Sequence, residues 1–287
     1  MPGQRLKPKT KAKEPSGQRP IIIVGAGHMG GAFARGLIAA GMGSRLILID
    51  PAIKLADARA FKAAGAVTAD DANAAADTSP EAIILAVKPQ LMRVVAPAYA
   101  ALARKALVIS IAAGTPVESL ELWLEKPRAV VRAMPNLPAS IGKGISAAYA
   151  TPTTTSAQRK LAATLLAAIG ELVWLDGEEL MNAVTAVSGS GPAYVLLLVE
   201  ALAAAGERQG FAPDVAGKLA RKTIEGVGAL LASSAADPAD LRRSVTSPGG
   251  TTEAALKVLM ADGRFEKLLA DAVAAAVARG FELAKTR

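Results

Sequence analysis

The chain contains no cysteine, which removes disulfides, thiolate nucleophiles and thiolate metal sites together. It has one histidine, His28, so neither a histidine-based metal site nor a Ser-His-Asp triad can be assembled, and no metal is expected. Aromatic residues make up 3% of the chain against 52% hydrophobic residues, so the core must be built from Ala, Val, Leu and Ile. Unbalanced charge is also scarce once it is located. Of the net +8, most falls in residues 1–19, where Arg5, Lys7, Lys9, Lys11, Lys13 and Arg19 face Glu14 alone. The rest carries 27 basic and 24 acidic residues, an ordinary balance that calls for no nucleic-acid partner.

Residues 1–19, rich also in Pro and Gly, read as a disordered basic tail, either a solvated extension or a segment that grazes an acidic surface. The tail has no apolar h-region and is not a secretory signal. Residues 180–199 lack charge over a membrane-spanning length. Their centre, however, holds Asn182, Thr185 and Ser188-Gly189-Ser190-Gly191-Pro192, polar and helix-breaking text that argues against a span. A cytoplasmic protein with no membrane partner is expected.

What is present is a chain of 287 residues, long enough for two domains. Ile21–Val24, Leu46–Asp50, Val67–Thr68, Ala82–Val87, Ala106–Ile111, Val130–Met134, Ile145–Tyr149 and Leu172–Trp174 read as strands separated by helical spacers. Such alternation predicts an α/β fold, a Rossmann-like doubly wound parallel sheet, over residues 20–177. After Gly177 the pattern is helical: 178–210 with a break near Gly189–Pro192, then 213–233, 238–245, 252–261 and 264–285. Residues 178–287 are therefore expected to form an all-α second domain.

Gly25-Ala26-Gly27-His28-Met29-Gly30 follows the first strand and opens a helix. In that setting Gly25 makes the turn, Gly27 admits a pyrophosphate, and Gly30 permits close helix–strand packing. The bland alternative is a glycine turn used only for packing. Asp50 ends the second strand, where an acid usually accepts hydrogen bonds from the adenosine ribose. That favours NAD slightly, unless Lys54 or Arg59 offsets the charge for a 2′-phosphate. Lys88, held extended by Pro89, ends another strand, as do Asn73, the Ala112-Ala113-Gly114 turn and Arg132-Ala133-Met134-Pro135-Asn136. Each of these taken alone is also readable as ordinary loop chemistry, and Asn136 as a turn cap. Ser188–Tyr194 reads equally well as a close-approach site or a helix junction.

Far downstream lies Val245-Thr246-Ser247-Pro248-Gly249-Gly250-Thr251-Thr252, a glycine turn that runs into an apolar helical pattern. Free amides at a helix start form an anion site. The chain thus offers one cradle suited to a pyrophosphate and one suited to a small carboxylate.

Taken together and in this order, GAGHMGG, AVKP, RAMPN, SGSGPAY and VTSPGGTTEAAL resemble the pyrroline-5-carboxylate reductase family over about residues 20–280. The last two motifs are the specific ones, since generic dinucleotide enzymes do not carry both. Asp50 departs from what NADPH-preferring members would be expected to hold there. The resemblance implies an oxidoreductase acting on a CH–NH group, an imine reductase that passes hydride from NADPH or NADH to 1-pyrroline-5-carboxylate in the last step of proline biosynthesis. It implies that Val24 to Met29 (Val24, Gly25, Ala26, Gly27, His28, Met29) and Ala86, Val87, Lys88 and Pro89 line the cofactor. Asn73, Ala112, Ala113 and Gly114 would lie nearby. It also implies that Val245, Ser247, Gly250, Thr251 and Thr252 hold the substrate, with Thr252 as the catalytic contact. The helical half would form a homodimer or a ring of dimers, the substrate turn completing a cleft near the partner.

Elementary chemistry is compatible with that assignment. Reduction of a ketone leaves an alkoxide that needs a nearby acid, whereas a protonated imine is already electrophilic. No obvious acid accompanies the substrate turn. Two rival readings are a 3-hydroxy-acid dehydrogenase, with Lys218 or Lys222 as proton shuttle, and a dinucleotide-sensing scaffold without turnover.

Overall fold

The computed structural model describes residues 18–285. The basic tail expected over residues 1–19 lies outside them as far as position 17. Arg19 is anchored: its guanidinium donates to Ser79 O at 3.1 Å and Pro80 O at 2.7 Å.

Eight strands form one sheet in the order β3-β2-β1-β4-β5-β6-β7-β8. They are β1 (Ile21–Val24), β2 (Leu46–Ile49), β3 (Val67–Ala69), β4 (Ala82–Leu85), β5 (Leu107–Ser110), β6 (Ala129–Met134), β7 (Gly144–Ala150) and β8 (Gly170–Trp174). Every pairing from β3 to β6 is parallel; β7 runs antiparallel to β6, and β8 parallel to β7. The first six strands have the order of a dinucleotide-binding fold, and the chain reverses its direction of growth between β1 and β4.

Parallel strands covered on both faces must be apolar at every position, and β1, β2, β4 and β5 are buried at all four. Period-two alternation then sorts them into two cores. Ile21 and Ile23 pack with Phe33, Leu37, Leu165 and Leu166 on one face. Ile22 and Val24 pack with Met92, Tyr99, Leu120 and Trp123 on the other. The covering helices are α1 (His28–Ala39), α2 (Leu55–Ala63), α3 (Pro89–Val95), α4 (Ala100–Ala103), α5 (Val117–Trp123) and α6 (Ser156–Ala167). A reciprocal capping box between Thr155 and Gln158 starts α6.

The expected helix over 178–210 has a π-helical turn at Thr185–Gly189 between α7 (Met181–Val184) and α8 (Gly191–Arg208). A π turn inside an α-helix is the marked feature here, as the Ser-Gly-Ser-Gly-Pro text foretold a break. The remaining helices are α9 (Pro213–Ser233), α10 (Pro238–Ser244), α11 (Thr251–Met260) and α12 (Arg264–Lys285). Each falls within a residue or so of its expected range.

The described chain separates into two compact units. One runs through Gly189 and takes back the chain from Val277 onward; the other is Ser190–Ala276. These packing units divide at the π turn, a little beyond residue 178, where the text changes character. Residues 178–189 are helical in pattern yet pack with the sheet, because Glu178 bonds to it and Met181 and Ala186 are buried. In the second unit α8 and α9 lie against each other, and both leave large apolar side chains exposed, among them Val195, Leu197, Leu219 and Leu230.

Candidate functional site

The reversal between β1 and β4 leaves a crevice at the carboxyl ends of the strands, and a cavity of about 530 Å³ opens there. Val24, Gly25, Gly27, Asp50, Ala86, Val87 and Lys88 all line it. Seven of the residues expected to contact a cofactor thus come together from three strand ends. Their glycines serve distinct needs. Gly25 has φ +91°, in the region that favours glycine, and its N–H donates to Ile49 O at 2.9 Å. A Cβ on Gly30 would stand 1.9 Å from Gly25 O, so the loop and α1 can pack only if that position is bare. A Cβ on Gly27 would meet no protein atom within 4 Å. Glycine at 27, which caps α1, is not required by internal packing and leaves room for a ligand beside the helix N-terminus.

The other expected residues are placed as follows. Ala26 is held by its N–H, which donates to Asp50 Oδ2 at 2.6 Å. His28 and Met29 begin α1, with Met29 packed on the core. Lys88 is the residue before α3 and Pro89 its first residue, so the strand-end lysine also starts a helix. Asn73 does not line the cavity; it sits in an exposed turn with its N–H on Asp71 Oδ1 at 3.0 Å. Ala112, Ala113 and Gly114 follow β5, and Gly114 borders a second, smaller cavity of about 270 Å³. Asn136 makes no side-chain cap to the turn it opens; its Oδ1 accepts Ile145 N–H of β7 at 3.0 Å, and its Nδ2 reaches Ser188 Oγ at 3.4 Å.

Sequence reasoning passed over several residues here. Asp70, Asp71 and Tyr99 also line the larger cavity. The two acids follow β3 directly, so the strand-end rule that singled out Asp50 would have found them. Burial, and then the Asp71 carboxylate, push the Tyr99 phenol well above its ordinary pKa. Around the smaller cavity, Arg132 pairs with Glu178, whose Oε1 also accepts Val117 N–H at 2.7 Å. No local pattern announces that pair.

In the second unit, Val245 and Ser247 are exposed and Thr252 is half-buried. Gly249 takes φ +72°, and Gly250 caps α11. The Gly250 N–H donates to Ser247 O at 3.0 Å, and Glu253 Oε2 accepts Gly249 N–H at 2.9 Å. The turn thereby braces itself with its own groups, while the first amides of α11, from Thr251 and Thr252, have no acceptor within the helix. Such a bare helix start suits a small carboxylate. Lys222, a rival proton shuttle, pairs with Glu225 at 2.7 Å on an exposed face of α9.

Comparison with known proteins extends these observations over nearly the whole chain. A family model for pyrroline-5-carboxylate reductase dimerisation matches residues 178–283. One for NADP oxidoreductase, coenzyme F420-dependent, matches residues 20–114. The chain is 45% identical over 269 residues to a pyrroline-5-carboxylate reductase of Pseudomonas aeruginosa, covering 92% of this chain and 97% of the relative. It is 35% identical over 271 residues to that of Glycine max, covering 94% and 97%. A solved pyrroline-5-carboxylate reductase from Coxiella burnetii superposes with a TM-score of 0.84 at 35% identity, covering 92% and 98%. A Plasmodium falciparum pyrroline carboxylate reductase with NADP bound gives 0.79 at 25% identity, covering 95% and 100%.

Proposed function

This chain belongs to the pyrroline-5-carboxylate reductase family, and from that we infer that it reduces 1-pyrroline-5-carboxylate to proline, the last step of proline biosynthesis. It is an NAD(P)H-dependent oxidoreductase. One observation carries the reading: the same chain holds a glycine-loop cavity at the sheet's switch point and a bare, self-braced helix start at Thr251. The bound dinucleotide, when reduced, supplies a hydride for the C=N carbon. Gly25 to Gly30, Asp50, Ala86 and Val87 hold it. The protein's remaining task is orientation and charge placement.

The Thr251 and Thr252 amides grip the substrate carboxylate, and the Thr252 hydroxyl bonds the ring nitrogen. Ser247 and Gly250 shape the turn, and Val245 supplies an exposed apolar wall beside it. Ala112, Ala113 and Gly114, which follow β5, complete the coenzyme surroundings, and Asn73 stands outside them in its exposed turn. No side-chain acid is required, since the imine enters the reaction already protonated and leaves as an amine.

The experiment is to mix the protein with pyrroline-5-carboxylate and reduced coenzyme and follow loss of the coenzyme's absorbance. Thr252→Ala should lose about 2 kcal/mol of transition-state binding, roughly a thirtyfold fall in kcat/KM, with coenzyme affinity unchanged. No turnover by the wild type, or full activity in that variant, overturns the respective assignment.

The match to a dimerisation family over residues 178–283 makes the helical half an assembly domain. We propose a homodimer, or a ring of dimers, closed over the exposed apolar faces of α8 and α9. Residues 178–208 include an 18-residue stretch of mean hydropathy 1.5, long and apolar enough to cross a membrane, of which 6% is buried. A second copy is the occupant that the family supplies for that face. Light scattering or sedimentation gives the count. We propose a cytoplasmic location, which cell fractionation tests.

A further inference from the structure

We propose that Asp50 makes this enzyme select NADH over NADPH. The proposal takes the dinucleotide site from the reading above and concerns which of the two coenzymes that site accepts.

Asp50 stands just past β2, and each carboxylate oxygen is fixed by a backbone donor: Oδ2 by Ala26 N–H at 2.6 Å, Oδ1 by Ala52 N–H at 2.8 Å. These bonds set the plane of the group against the glycine loop, at the wall of the cavity. A carboxylate has about four lone-pair positions, so both oxygens can still accept a further donor. A ribose 2′-hydroxyl is such a donor. A 2′-phosphate, with a charge of about −1.5 to −2, replaces that donor mainly by acceptor oxygens of the same sign as Asp50.

The neighbourhood adds to the effect. Asp70 and Asp71 line the same cavity from the end of β3. Among the described residues lining it, three carboxylates therefore meet one cation, Lys88. The basic residues beyond β2 do not redress this. Lys54 and Arg59 are not among the lining residues, and the Arg35 guanidinium lies 3.8 Å from Asp57. An added phosphate would enter a wall of acceptors that share its sign, in a partly desolvated crevice where such repulsion is strengthened.

The test is fluorescence titration of the full-length protein with NADH and with NADPH. Competition by ADP-ribose and by its 2′-phosphate runs alongside it, as does kcat/KM for both coenzymes. NADH should bind at least tenfold more tightly, and ADP-ribose should outcompete its phosphate by a like factor. Asp50→Asn should shrink the ratio severalfold or more, and Asp70→Asn should shrink it less. Should Asp50→Asn fail to fold, the wild-type ratio and Asp70→Asn still decide. Equal or tighter binding of NADPH by the wild type overturns the proposal. Preferential NADH binding without imine turnover would sink the reductase reading and leave the coenzyme assignment standing; binding of neither sinks both.

Discussion

Arg132 and Glu178, 46 residues apart in sequence, meet in an ion pair whose arginine side chain is 7% exposed and whose glutamate is 29% exposed. Glu178 also holds the first amide of α5, so a single carboxylate ties β6, the start of α5 and the chain leaving β8. The unequal burial makes the two halves unequal to lose. Glu178→Leu strands a buried guanidinium and should cost about 3 kcal/mol. Arg132→Met leaves a carboxylate that reaches water and keeps Val117, and should cost clearly less. The double variant should recover part of the first loss. Urea unfolding at one fixed protein concentration measures all three, since assembly would otherwise shift the midpoint.

Gly27 and Gly30 should separate affinity from stability. In Gly30→Ala the new methyl collides with Gly25 O, and overpacking of this kind costs about 1–3 kcal/mol. In Gly27→Ala it meets no protein atom, and the cost should stay within about 1 kcal/mol for a helix-capping position. Dinucleotide affinity should nevertheless fall in both. A Gly27→Ala protein with wild-type coenzyme binding would show that no ligand approaches that face.

Thr115 is fully buried, and its Oγ1 has no hydrogen-bond partner. Burying an unsatisfied hydroxyl costs about 1–3 kcal/mol, which an apolar group of the same shape avoids. Thr115→Val should therefore raise the urea midpoint with an unchanged slope. A lowered midpoint would mean that the hydroxyl is satisfied in solution.

Tyr99 should make the protein weaker in alkali. Its folded pKa is raised by burial first and by Asp71 second, so the fold prefers the neutral phenol. An unfolded chain ionises near its ordinary value of about 10 and gains from doing so, while the folded chain does not. This contribution to stability is complete below that pH and shrinks as pH rises through it. Tyr99→Phe should flatten the slope of unfolding free energy between about pH 9 and 11. Identical slopes in the two proteins would refute the assignment.

Much of the architecture was legible because its causes are local. Ile21–Val24, Leu46–Ile49 and Ala82–Leu85 are continuous apolar runs because both faces of the sheet are covered. Pro213, Pro238 and Arg264 open helices where the sequence pattern placed them. The glycine loop was legible for the same reason, since the turn and the close approach at Gly30 act within a few residues. The antiparallel turn of β7 was not, because a run such as Ile145–Tyr149 has the same alternation whichever way it is paired. Nor was the packing of residues 178–189 with the sheet, for they look helical but bond to it.

The sequence by itself determined the elements, the two glycine turns and the family, since these depend on periodicity, backbone permissiveness and ordered motifs. Only the folded chain decided that Asp70, Asp71 and Tyr99 join Asp50 around one cavity, that Asn73 stays outside it, and that Glu178 answers Arg132. Those relationships join residues tens of positions apart, and no local preference encodes them. They arise when strand order brings the ends of β1, β2, β3 and β4 to one edge and burial leaves each polar group to find a partner there.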